Sequence, residues 1–147
     1  IQVLEHALIE IENFDQKKYD IVVMLQPTCP FRKKSYLIDT LDKIINGKYD
    51  SVWTVNTTDL KFHPTKQLKI NNGQLEYIYA EGNSIPVRQD LFPTYHVNGA
   101  VYALTRDCIL NQKSRMGRKS APIIINDKLI NIDTYDDFLL GEKYLNN

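Results

Sequence analysis

The stretch Asp20-Ile21-Val22-Val23-Met24-Leu25-Gln26-Pro27-Thr28-Cys29-Pro30-Phe31-Arg32 decides how the rest of the chain is read. The unbroken apolar run Ile21 to Leu25 predicts a strand buried on both faces, and the two prolines that follow forbid continuation of its ladder. The strand is therefore expected to end at Gln26. In an open α/β sheet, ligands bind beyond the carboxyl ends of the strands, so Gln26, Thr28 and Arg32 stand where polar chemistry is expected. An ordinary proline-rich loop leading into a helix accounts for the same local pattern.

Before that stretch, Val3, Leu4, Ala7, Leu8 and Ile11 recur at helical spacing and predict an amphipathic helix over residues 2–13. After it, Ser35 is a candidate cap for a second helix with the apolar stripe Leu37, Ile38, Leu41, Ile44 and Ile45, stopped at Gly47. Ser51 to Thr57, rich in β-branched residues, reads as the next strand. Helix, strand, helix, strand with short connections argues for a parallel sheet with right-handed crossovers. The middle changes character: Asn71-Asn72-Gly73 separates two alternating segments, a hairpin signal, and predicts an antiparallel excursion. Val101 to Leu104 predicts a strand, 106–111 a short helix, 113–120 an exposed basic loop, and 121–125 and 129–132 short strands. Thr134 with Asp137 fits a capping box that opens a last helix.

With 147 residues the chain has the size of one domain, and its 18 basic and 18 acidic side chains leave no net charge. That removes the usual electrostatic case for nucleic acid or a membrane surface as partner. No apolar run approaches the roughly 20 residues of a membrane helix, and no leader pattern opens the chain; a soluble, cytoplasmic protein is expected. Cys29 and Cys108 lie in different elements without metal-site spacing and are expected as reduced thiols. The first residue is Ile, so the chain is expected to start inside a longer protein.

Five separated patterns now occur in order: residues 25–32 Leu-Gln-Pro-Thr-Cys-Pro-Phe-Arg, His63-Pro64-Thr65-Lys66, residues 86–93 Pro-Val-Arg-Gln-Asp-Leu-Phe-Pro, Asn98-Gly99-Ala100-Val101-Tyr102 and Asn131-Ile132-Asp133-Thr134. Together they resemble the acylneuraminate cytidylyltransferase family, over nearly the whole chain and corresponding to the latter two-thirds or so of a family member. The resemblance implies a partial Rossmann-like α/β domain over residues 1–147: a mostly parallel sheet with flanking helices and, at 60–97, an inserted antiparallel subdomain for dimerisation and acceptor binding. It implies magnesium-dependent transfer of CMP from CTP to the anomeric hydroxyl of a sialic-type nonulosonic acid, with release of pyrophosphate, by a homodimer.

On that resemblance Arg88, with Lys66 adding a point charge, matches the ligands of the acceptor carboxylate, for which a guanidinium is a planar two-donor fork. Gln26 would hydrogen-bond acceptor hydroxyls or the nucleotide sugar. Asn98 and Tyr102 match the family's Asn-Gly-Ala-(Ile/Val)-Tyr pattern, with Tyr102 as a wall of the acceptor pocket or, equally, a buried strand tyrosine. Arg32 would face phosphate or sit exposed. Where family members show Asp-Ile-Asp before the last helix, Asn131 replaces the first acid. Asp133 would then be the one carboxylate for Mg2+, with the Asn131 amide oxygen beside it, unless Asp133 simply helps cap the helix. No glycine-rich phosphate loop appears, so the chain by itself is expected not to turn over CTP. A different class stays open: a catalytically degenerate dimerisation or sugar-acid-binding module. Cys29 with His63 as a nucleophilic pair finds little support, because no triad is identifiable.

Overall fold

The computed structural model describes residues 1–84 and 91–145. Its elements, in chain order, are α1 (Gln2–Asp15), β1 (Ile21–Met24), α2 (Lys34–Gly47), β2 (Ser51–Thr57), β3 (Leu68–Asn71), β4 (Gln74–Tyr77), β5 (Tyr95–Thr105), α3 (Arg106–Leu110), β6 (Ser120–Ile124) and α4 (Tyr135–Leu145). Contacts group them into two units, one of residues 1–55 with 97–147 and one of residues 56–96.

In the first unit the strand order is β1-β5-β2-β6. β1 pairs antiparallel with β5, Ile21 opposite Thr105 and Met24 opposite Tyr102. β2 pairs parallel with β6, Ser51 opposite Ser120. The hydrogen bonds of Thr105 N–H to Asp50 O, 2.8 Å, and of Val101 N–H to Thr54 Oγ1, 2.9 Å, run β5 and β2 in opposite directions. The sheet is thus mixed, and the expected mostly parallel, Rossmann-like pairing is corrected: β5 is reversed between strands that share one direction. Parallel neighbours need a crossover connection. The segment between β2 and β5 supplies no crossover helix among its described residues, so the strand returns antiparallel.

Alternation along the strands covers both faces of this sheet. Val22, Met24, Trp53, Tyr102 and Leu104 pack with Leu8 of α1 and Cys108 and Ile109 of α3. Val23, Val101 and Ala103 face the other way, toward Tyr36 and Ile44 of α2 with Val52, Ala121 and Ile125. Each large side chain buried this way contributes on the order of 2 kcal/mol. β1 is covered on both faces but lies at the edge of the described sheet, so its residues are only half-buried and it ends at Met24, before the expected Gln26.

Other expectations shift by physical detail. α2 begins at Lys34 with no side-chain cap, so Ser35 lies inside the helix. Its buried stripe is Tyr36, Thr40 and Ile44, while Ile38 and Ile45 are exposed. The stripe is shifted by one residue from the apolar pattern at Tyr36 and Thr40; the Thr40 hydroxyl donates to Tyr36 O, 2.6 Å, and can therefore be buried without loss. Residues 129–132 form no strand. The capping box is present: Thr134 N–H donates to Asp137 Oδ2, 2.9 Å, and Asp137 N–H to Thr134 Oγ1, 3.2 Å, at the start of α4.

In the second unit β3 and β4 form an antiparallel hairpin, Leu68 opposite Tyr77 and Ile70 opposite Leu75. Asn72 and Gly73 turn it with φ of 49° and 78°, the positive pair that a two-residue turn of right-handed twist requires. No helix of the described residues is long and apolar enough to cross a membrane.

Candidate functional site

An open cleft of about 460 Å³ in the first unit is lined by Gln26, Pro27, Thr28, Val97, Gly99, Tyr102, Arg115, Asn131 and Asp133. Four pieces of chain make it: the proline loop after β1, the middle of β5, the loop between α3 and β6 that carries Arg115, and the segment before α4. Gln26, Tyr102, Asn131 and Asp133, singled out in the sequence, are brought together here.

The proline loop is held by Arg32, whose guanidinium donates to the Gln26 carbonyl and, at 3.1 Å, to the Ala100 carbonyl. Arg32 is therefore spent on backbone, fixing the loop to β5 and presenting the Gln26 side chain. Asn98 is buried and its Oδ1 accepts from Thr54 Oγ1, 2.7 Å, and from Ala100 N–H, 3.2 Å. It shapes the β5 backbone from beneath and does not line the cleft. Gly99 has φ of 75°, and a Cβ there would run into Gln26 Oε1 and lie 3.1 Å from Asn131 Oδ1. Only glycine brings β5 this close under both side chains.

Tyr102 is 2% exposed, and its hydroxyl accepts a 2.7 Å hydrogen bond from Gly99 N–H. Burial pushes the phenol up, opposed by that hydrogen bond and then by the Arg115 charge, so the hydroxyl is neutral at working pH. Both sequence readings of Tyr102 meet here: it is a buried strand tyrosine with a bonded hydroxyl, and it lines the cleft.

Asn131 uses both ends of its amide. Its Oδ1 accepts from Thr28 Oγ1, 3.0 Å, and its Nδ2 donates to Asp133 Oδ2, 2.9 Å. In this arrangement Asn131 offers Asp133 an N–H, and Asp133 alone presents a carboxylate to the cleft. No group of three or more His, Cys, Asp or Glu that could hold a metal exists among the described residues. The donor set fits a hard cation only as one that takes most of its ligands from a bound phosphate or water.

Lys66 belongs to the second unit, half-buried in a short 3-10 turn, Pro64–Lys66, which His63 caps by accepting from Thr65 N–H, 3.3 Å. Arg88 lies outside the described residues. Cys29 is fully buried and burial raises its thiol pKa, which opposes a thiolate nucleophile. The sequence reading missed Arg115, whose guanidinium sits 5.1 Å over the Trp53 ring and lines the cleft. The only signal was one more cation in a basic loop, read there as solvated.

No family model matches the chain. It is 28% identical over 130 residues to the CMP-N,N'-diacetyllegionaminic acid synthase of Legionella pneumophila subsp. pneumophila, covering 86% of this chain and 54% of that protein. It is 26% identical over 118 residues to an N-acylneuraminate cytidylyltransferase of Streptococcus agalactiae serotype V, covering 80% of this chain and 28% of that protein. It is 20% identical over 144 residues to the post-translational flagellin modification protein B of Campylobacter coli, covering 97% of this chain and 60% of that protein. The chain thus spans between 28% and 60% of the length of these relatives.

Proposed function

We propose that this chain, which belongs to the acylneuraminate cytidylyltransferase family, is the acceptor-side part of an enzyme that transfers CMP from CTP to the anomeric hydroxyl of a sialic-type nonulosonic acid, releasing pyrophosphate. The observation that carries the reading is the meeting of Gln26, Tyr102, Asn131 and Asp133, from three separated motifs, around one cleft. Nucleotidyl transfer asks little covalent chemistry of side chains; it asks for an aligned attacking oxygen and for positive charge at the phosphates.

In this reading Gln26, presented by a loop that Arg32 ties down, hydrogen-bonds the acceptor hydroxyls, and the Tyr102 ring walls the sugar. Asp133 would hold Mg2+, and Asn131 holds the Asp133 carboxylate in place through its N–H, 2.9 Å. The bound cation would supply neutralisation of charge on the transferring phosphate. Arg88 and Lys66 take the acceptor carboxylate, contributed across a homodimer of this chain. The chain contains no glycine-rich phosphate loop, so alone it is not expected to turn over CTP.

The test is an assay of the complete encoded protein with CTP, Mg2+ and N-acetylneuraminic, legionaminic or pseudaminic acid, following CMP-sugar and pyrophosphate. Formation of both, with at least about a tenfold loss of kcat/KM in Gln26→Ala, supports the reading. Comparable turnover of GTP would sink the cytidylyl assignment. The replacement of the family's first acid by Asn131 favours a second reading, a sugar-acid-binding module without turnover; binding of the sugar acid with no product formation would select it.

A further inference from the structure

The loop that carries Arg115 is built, not merely connecting. The Asp50 carboxylate accepts the backbone N–H of Lys119, 2.8 Å, and of Arg118, 2.9 Å, and the Gln112 side-chain amide, 3.1 Å. Those donors hold the Asp50 pKa below the usual carboxylate range, the Lys119 N–H foremost. Ser114 Oγ accepts from Gly117 N–H, 2.9 Å, and Met116 N–H, 3.2 Å, while Ser51 Oγ donates to Met116 O, 2.7 Å. Gly117 sits at φ of 72° with its Cα against Asp50, where a Cβ would collide. The residues after Arg115 are therefore held by Asp50 and Ser51, far earlier in the chain, and the Ser114 hydroxyl just before it closes the turn.

The side chain, although exposed, rests on a ring. Its guanidinium lies over Trp53, whose ring meets Tyr102 edge-on at 4.9 Å, so Trp53 backs both cleft residues. Of the other loop cations, Lys113 pairs with Glu5, Lys119 donates to Gly47 O, 2.8 Å, over the Tyr49 ring, and Arg118 does not line the cleft. Arg115 has no carboxylate within ion-pair distance among the described residues, although Asp133 lines the same cleft. Stacking uses the face of a guanidinium and leaves its edge N–H donors available.

We infer that Arg115 is the anion-binding residue of this cleft, presenting its edge donors to the oxygens of a carboxylate or phosphate group. The planar two-donor fork of a guanidinium matches either group. The inference rests on the proposed function only for the two sources of the anion, the acceptor's carboxylate or the nucleotide's phosphate. It assigns to the first unit a cation for the anion, a role that the sequence motifs gave to Lys66 and Arg88 and, for phosphate, to Arg32, whose guanidinium is bonded instead to the Gln26 and Ala100 carbonyls.

Trp53 is the single tryptophan, so its emission reports directly on its arginine neighbour. The full chain is titrated with N-acetylneuraminate, its methyl ester, CMP and inorganic phosphate, with calorimetry as a second measure independent of the ring. The expected result is a saturable emission change with at least one anion and a dissociation constant at least about tenfold weaker in Arg115→Ala, partly restored in Arg115→Lys. A response to N-acetylneuraminate but not to the ester assigns the carboxylate; a response to CMP or phosphate alone assigns the nucleotide. No response to any anion, or an affinity in Arg115→Ala within about twofold of the parent, overturns the inference. Failure of the functional reading looks different: the complete protein makes no CMP-sugar while Arg115-dependent anion binding persists.

Discussion

Thr28 Oγ1 donates to Asn131 Oδ1 at 3.0 Å, joining the loop after β1 to the segment before α4 across 103 residues of sequence. The amide's other end donates to Asp133 Oδ2 at 2.9 Å, so Thr28, Asn131 and Asp133 form a chain of hydrogen bonds along one side of the cleft. In Asn131→Asp the Thr28 bond survives and becomes charge-assisted, while the N–H to Asp133 is lost and two carboxylates face each other. Such a pair repels unless a cation or a proton intervenes. Direct Mg2+ or Mn2+ binding to Asn131→Asp is expected to tighten by about tenfold or more, read by calorimetry, with a sharper magnesium dependence of any activity in the complete protein. Unchanged metal titrations would remove Asp133 from the metal site.

Gly99→Ala strains a φ of 75° and drives a methyl group into the Gln26 side chain. Destabilisation of roughly 2 kcal/mol is expected from the backbone conformation and the clash. Because the clash is with Gln26, ligand binding in the cleft should fall further than in a variant destabilised at least as much elsewhere, such as Ile44→Ala. Chemical denaturation with a parallel binding titration checks both; equal binding in the two variants would mean that Gln26 takes no part.

The features legible in the sequence were those set by local chemistry. Asn72-Gly73 demands a positive φ pair, and Thr134 with Asp137 is a reciprocal hydrogen-bond pattern three residues apart; both stand as read. What escaped depends on partners far along the chain. The reversal of β5 follows from how the chain returns after β2, which apolar periodicity does not encode. Arg32 looked available for phosphate because its two carbonyl partners, on Gln26 and Ala100, become neighbours only when the sheet forms. Arg115 looked solvated because Trp53 lies 62 positions earlier, and its loop looked like a connector because the anchoring acid, Asp50, is equally distant.

Glu12 near the end of α1 receives both Nε, 2.8 Å, and Nη2, 3.0 Å, of Arg106 at the start of α3. This pair, and next the Tyr19 N–H, lower the Glu12 pKa from 4.5 to about 2. A depressed carboxylate pKa contributes stability that is complete above the unfolded value and is lost as pH falls from about 4.5 toward 2. Denaturation midpoints should therefore drop over that window, and Glu12→Gln should flatten the drop while leaving a smaller, pH-independent loss. A Glu12→Gln profile parallel to the parent's below pH 4.5 would assign the acid sensitivity elsewhere.

The β3–β4 hairpin turns Leu68, Ile70, Leu75 and Tyr77 to one side, while Lys69 and Glu76 pair at 3.4 Å on the other. Ile70 is 76% and Leu75 71% exposed, an apolar face on an element that is marginally stable without cover. Under the proposed homodimer a second copy of this chain supplies the cover, and a two-fold axis doubles every substitution made there. Charges placed on that face meet their own copies across the axis as well as losing buried area. Ile70→Glu with Leu75→Glu is expected to weaken dimerisation at least about a hundredfold, even after the costs that keep buried area from converting fully into affinity. Light scattering across a concentration series reads this as a shift from dimer to monomer, with the far-ultraviolet spectrum of the first unit's helices unchanged. A parent protein monomeric at high micromolar concentration, or a doubly substituted protein that dimerises as before, would move the interface off this hairpin.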